Sequence, residues 1–195
     1  MTTKVKSYGI TVLAAIFAAT LFYFVYLQVN RSSQGEARRA TANNIDMALD
    51  TSPVVVIGRV IDDQGITRNL RRDSTDPTKE DQTVSVPGTD YKVEVIKVLK
   101  GEVQPNSQIN VAVPGGTYKG ESAKLQATLA KNGEYIFALA PSPSGPASYF
   151  GMIEPYIFQL KNNKVMAVTN DNQVKSAFQE TNLTEADLDQ KFTKP

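Results

Sequence analysis

Three arginines within five positions, Arg68, Arg71 and Arg72, are the side chains of this sequence best suited to gripping a ligand. Clustered guanidinium groups match phosphate and carboxylate geometry, so the chemistry they offer is contact with an anionic polymer or a lipid head group. They lie among Asp62, Asp63, Asp73, Asp76, Lys79, Glu80 and Asp81. The carboxylates have the oxygen chemistry of a Ca²⁺ site, but their spacing matches no EF-hand loop and cations interrupt them. Solvated loop charge is the simpler reading for the acids, and an exposed mixed-charge loop is the competing reading for the arginines.

Absent residue types narrow the chemistry further. The chain has no Cys, no His and no Trp. Without Cys there is no disulfide framework, thiol nucleophile or thiolate metal site. Without His the commonest general base and the commonest transition-metal ligand are missing. Carboxylate, Lys, Ser/Thr and Tyr chemistry remain, yet no spacing assembles a catalytic constellation. No catalytic, cofactor-binding or metal-binding residue is therefore assigned.

The whole chain carries 21 Lys and Arg against 20 Asp and Glu, and beyond Val29 the balance is 19 against 20. A near-neutral domain lacks the basic footprint that drives binding to a phosphate backbone, so nucleic acid is not expected as a partner.

The elements that must hold these residues begin with a membrane span. Ile10 to Val29 reads ITVLAAIFAATLFYFVYLQV, 20 residues without a charge. At about 1.5 Å per residue this length matches a bilayer core of roughly 30 Å. Lys4 and Lys6 stand before it, and Tyr8, Tyr23 and Tyr26 sit near its ends, where amphipathic rings favour the interface. A cleaved signal peptide is the competing reading. Against it, Ala14, Ala15, Ala18 and Ala19 are followed by the strongly apolar Leu21 to Val25, with no A-x-A cleavage pattern at the end of the run. Residues 1–9 then form a cytoplasmic tail, residues 10–29 the transmembrane helix and residues 30–40 a polar juxtamembrane linker. Residues 41–195 form one domain, expected outside the cytoplasm in the manner of a signal anchor.

Within that domain the pattern is mainly β. Ile45 and Leu49 place a short helix within Thr41 to Asp50, closed by Pro53. Val54 to Ile61 is β-branched and apolar on both faces, with Gly58 suggesting a bend or bulge. Residues 62–82 read as an exposed charged loop, too poor in apolar residues to pack. In Tyr91 to Lys100 the apolar register slips by one between Val95 and Ile96, as a β-bulge would require, and bulges let a sheet curl into a small barrel. Ile109 to Val113 is a strand stopped by Pro114-Gly115-Gly116. Leu125 and Leu129 predict a helix within Glu121 to Lys131, and Glu134 to Ala140 is a further strand. Tyr156 to Leu160 and Val165 to Thr169 read as a hairpin turned by Asn162-Asn163. Residues 183–192 predict a C-terminal helix started by a Thr184/Asp187 capping box.

The segments Val54 to Val60, Tyr91 to Glu102, Val113 to Gly116 and Gly133 to Phe137 together resemble a pattern in bacterial membrane-anchored surface proteins. Those proteins are similar to the netrin-like domain of tissue inhibitors of metalloproteinases, an OB-fold barrel. The resemblance covers residues 45 to 140 and implies a small OB-like antiparallel barrel with one or two short helices. It implies no functional residue, because the inhibitors act through an N-terminal Cys and this chain has none.

The expected function is a membrane-tethered extracytoplasmic binding module for a protein, peptide or envelope polymer, with Arg68, Arg71 and Arg72 in its contact loop. An envelope enzyme using carboxylate or Ser/Lys chemistry is the alternative. A deep pocket of convergent ionisable groups would favour the enzyme.

Overall fold

The computed structural model describes residues 40–178 and 183–193. The tail at 1–9, the membrane span at 10–29 and nearly all of the linker at 30–40 lie outside the described residues, among which no helix is long and apolar enough to cross a membrane.

The domain is mainly β, built on a seven-stranded sheet that closes a five-stranded barrel. Strand β1 is Ala40–Thr41, and helix α1 is Ile45–Thr51. The long strands β2 (Val54–Asn69) and β3 (Pro87–Lys100) follow, then β4 (Gln108–Pro114) and a small hairpin of β5 (Gly116–Tyr118) and β6 (Glu121–Ala123). Strand β7 (Glu134–Pro141) leads to two short strands, β8 (Ser148–Phe150) and β9 (Ile153–Glu154). The hairpin β10 (Ile157–Lys161) and β11 (Lys164–Ala167) precedes helices α2 (Asn172–Ala177) and α3 (Glu185–Thr193).

The ring runs β2, β3, β4, β8, β7 and back to β2. Its neighbours are antiparallel except β4 and β8, which run parallel with Val111 opposite Tyr149. Strand β7 divides its second edge, giving Ile136 and Phe137 to β10 and Ala140 and Pro141 to β8. The sheet thereby closes and also continues outward into the β10–β11 hairpin.

The register slip expected in β3 is present. Ile57 pairs with Lys97 and Gly58 with Val95, leaving Ile96 as an extra residue, 37% exposed. Val55 pairs with Lys100 and Val56 with Val98, so Leu99 is a second extra residue. On β2, Ile61 is extra between Val60 and Asp62. Each bulge adds local twist, and a twisted two-strand ribbon bends round a barrel where a flat one cannot. Gly58 sits at a point of close approach: a Cβ there would lie 2.4 Å from Cγ1 of Val93 and 3.1 Å from the Glu94 carbonyl oxygen.

Beneath the ring, Val56, Val60, Val93, Val95, Val111, Val113 and Phe137 are completely buried. Helix α1 adds Ile45, Ala48 and Leu49 to the core, and its start is capped by Asn44, whose Oδ1 accepts from the Met47 amide at 2.7 Å. The hairpin turn is as the sequence implies, with Asn162 and Asn163 at φ of 53° and 61°. The Thr184/Asp187 capping box is also formed: Asp187 accepts from the Thr184 amide and hydroxyl, and the Asp187 amide donates to the Thr184 hydroxyl.

Two expectations are corrected. No helix forms over Glu121 to Lys131; after β6 the chain runs irregularly, with Ala127 and Leu129 buried and Thr128 and Ala130 exposed. That two-residue alternation, and not the four-residue spacing of Leu125 and Leu129, decides the conformation. The proposed loop at 62–82 is also shorter than expected, because β2 continues to Asn69, with Ile66 to Asn69 paired to β3. The helix α2 was not expected; its signal was Asp171, whose carboxylate accepts from the Gln173 and Val174 amides.

Replacing Gly58 by Ala forces a methyl group into Val93 and should destabilise the domain by about 1–3 kcal/mol. Urea unfolding of the purified Gly58→Ala chain checks this, the expected result being a lower midpoint at an unchanged m-value.

Candidate functional site at the loop end of the barrel

The first strand of the ring, β2, leads into the segment at residues 70–86, and the fourth, β7, leads into residues 142–147 before the closing strand β8. Arg68, near the end of β2, joins these regions. Its Nε lies 2.7 Å from Oδ2 of Asp90 on β3, and its Nη1 donates to Oγ of Ser144 at 2.9 Å. The Arg68 and Asp90 side chains are only 13% and 17% exposed, so water screens this pair far less than a surface pair. Ser144 is also hydrogen-bonded to Ser142, at 2.7 Å between hydroxyls. The Arg68 contact thus ties the short loop to the end of β2.

The segment 70–86 has an internal structure made of polar contacts. Asn69 is its hub and is 2% exposed. Its Nδ2 donates to the carbonyls of Asp81 and Val84, both at 2.8 Å. Its Oδ1 accepts from the amides of Arg71 and Val86 at 2.9 and 2.8 Å. Two donors and two acceptor positions are all filled, which satisfies a buried amide. Glu80 adds a second tie, accepting from the Asn69 amide and, at 2.6 Å, from the hydroxyl of Tyr118 in the β5–β6 hairpin.

Three Asp-x-Thr units shape the rest of the segment. In Asp73-Ser74-Thr75, Asp76-Pro77-Thr78 and Asp81-Gln82-Thr83, the Asp Oδ1 accepts from both the amide and the hydroxyl of the Thr. These are turns in which a short side chain stands in for a backbone carbonyl. The Thr75 hydroxyl, aided by backbone amides, holds the Asp73 carboxyl below its ordinary range. Thr78 and then Lys79 do so for Asp76, and Thr83 does so for Asp81.

The three arginines of the sequence reading do not converge as one grip. Arg68 is committed to Asp90 and Ser144. Arg71 is the open one: its side chain is 60% exposed, with Nε 3.6 Å from Asp81. Arg72 forms a backbone bridge with Glu80 across the segment, and its half-buried side chain keeps Nη2 away from water without a hydrogen-bond partner among the described residues. Apolar surface accompanies Arg71, since Ile66 on β2 is 72% exposed and Val84 is 48% exposed. Asp90, Asn69, Tyr118 and Ser144 were not singled out by the sequence, and Glu80 was read only as one of the loop carboxylates. The Asp-x-Thr repetition was legible there, whereas Asp90 and Ser144 lie 22 and 76 positions from Arg68 and carry no local signal.

Among the described residues no group of three or more carboxylates is placed to hold a metal ion. The acids of the 70–86 segment are instead spent on turns and on Arg71, Lys79 and Tyr118.

Two predictions follow from this construction. Asn69→Ala leaves buried backbone groups unpaired and should destabilise the chain by about 1–3 kcal/mol, read by thermal unfolding. The depressed carboxyls stabilise the segment above their unfolded pKa of about 3.9, and this stabilisation is lost as pH falls through their lower folded values. Carboxyl-carbon NMR titration should therefore place Asp73, Asp76 and Asp81 below 3.9, with Thr83→Val moving Asp81 upward. A search of protein-family models and of curated proteins finds no match to this chain.

Proposed function

We propose that this chain is a membrane-tethered, extracytoplasmic binding module, an OB-like barrel of the netrin-like kind, that contacts a protein, peptide or envelope polymer through the loop end of the barrel. The observation that carries the reading is the Arg68 bridge, which joins the 70–86 end of β2 to the 142–147 loop over a closed five-stranded ring. In OB barrels the loops between the first and second strands and between the fourth and fifth strands frame the ligand face. Residues 70–86 and 142–147 connect the first to the second and the fourth to the fifth of the ring strands taken in chain order, β2, β3, β4, β7 and β8.

Several features favour contact over catalysis. The exposed guanidinium of Arg71 lies in a segment that also exposes Val84, next to a strand that exposes Ile66, and such a mixture suits a partner with both an anionic and an apolar group. Arg68, Asp90 and Glu80 are paired with other side chains, and Asp73, Asp76 and Asp81 are turned onto the backbone and threonine hydroxyls. The tether rests on the uncharged run from Ile10 to Val29 and its length. The near-neutral balance beyond that run supports a partner other than nucleic acid.

Two measurements test the parts of this reading separately. Protease treatment of intact cells should remove a C-terminal tag while a cytosolic control survives; protection of the tag until lysis would reject the extracytoplasmic placement. A photo-crosslinking residue at Arg71 should give adducts on those cells that one at Asn162, in the β10–β11 turn, does not. Equal yields at both positions would reject the loop end as the contact face.

A further inference from the structure

Helix α3 is attached to the rest of the domain in a different way from any strand of the barrel. It has nine residues, and isolated helices shorter than about 12–15 residues are marginal in water, so its folding depends on docking. Of those nine, Leu188 alone is buried, while Phe192 and the preceding Leu183 pack partly against the core. A backbone hydrogen bond from the Val165 amide on β11 to the Leu183 carbonyl, 2.8 Å, holds the chain just before the helix, and ion pairs join the helix itself to α1 and β3. Lys191 Nζ lies 2.9 Å from Oδ1 of both Asp46 and Asp50 on α1, and Lys97 on β3 lies 2.6 Å from Asp189. The seam is open as well: a shallow groove of about 290 Å³ is lined by Asp46, Leu183, Asp187, Gln190 and Lys191. Lys191 is the one cation among those lining residues, and both of its carboxylate partners are on α1.

We propose that α3 is an electrostatically held strap that releases from α1 and β3 as a separate unit, without unfolding of the barrel, and that ionic strength or a competing charged partner controls its release. The contrast with β7 carries the argument. Residues 135–140 of β7 are all buried, and the strand is hydrogen-bonded on both edges, so its amides open only when the domain opens. The strap has one buried side chain, and its ion pairs use carboxylates that are half-exposed or more together with Lys97 at 50% and Lys191 at 24% exposure, so each pair is open to water on at least one side, contributes modestly and is screened by salt. Release takes Leu188 out of the core cluster and frees Asp46 and Asp50 on α1 together with Lys97 on β3.

Hydrogen exchange of the full chain, read by mass spectrometry over peptides from α3 and from β7, tests the strap. At about 0.01 M salt α3 should exchange before β7, and at about 1 M, where the Debye length falls from about 30 Å to about 3 Å, its exchange should quicken while β7 stays unchanged. Lys191→Gln should speed α3 exchange about two- to fivefold for each ion pair removed, and Lys191→Glu should speed it more. Exchange of α3 and β7 in step at both salt concentrations would overturn separate release. Exchange of α3 that ignores salt and Lys191→Gln, yet quickens in Leu188→Ala, would show that burial holds the helix and would overturn the electrostatic strap.

Discussion

Closing a ring of only five strands requires the two longest, β2 and β3, to curl, and every other feature of the domain depends on that bend. The extra residues Ile61, Ile96 and Leu99 provide it by breaking the one-to-one pairing of the ladder. Gly58 lets the backbone of β2 approach Val93 closely enough for the curled ribbon to pack. Once bent, β2 can hold β3 on one edge and β7 on the other, with Val55, Val56 and Val60 sealed between them. Three residues of β8 then suffice to complete the ring, because β4 and β7 have already been brought to either side of them.

A barrel made this way ends in loops, and this chain builds the loop end from polar contacts in place of apolar packing. Asn69 shows how that is possible. A buried amide with all four of its hydrogen-bonding positions filled organises the chain from Arg71 to Val86 without a core of its own. The Asp-x-Thr turns perform the same service locally, and Arg68 and Asp90, screened from water, tie the short loop down beside them. Charge that looks in sequence like a solvated run is therefore largely structural, and Arg71 is left as the open guanidinium of the three. At α3 the same economy is visible in weaker form, with partly exposed ion pairs supplementing a single buried leucine.

The sequence by itself determined the local features. Uncharged length marks Ile10 to Val29 as a candidate span, alternation and β-branching mark the strands, Asn162-Asn163 dictates a hairpin turn, and the phase slip at Ile96 announces a bulge. It misled where a spacing was ambiguous: Leu125 and Leu129 fit a helix, yet Ala127 and Leu129 follow the two-residue period of an extended chain. The arginines were legible as a cluster, but not their division into a bridge, an open side chain and a half-buried one. Only the tertiary structure decided that division, since the partners of Arg68 come from β3 and from the loop before β8. It likewise decided the ring, because Ser148 to Phe150 is too short to announce a strand and becomes one where β4 and β7 both offer unpaired edges. Backbone groups left at a sheet edge must find partners, and which residues meet that demand depends on contacts far apart in the chain, beyond the reach of any local pattern.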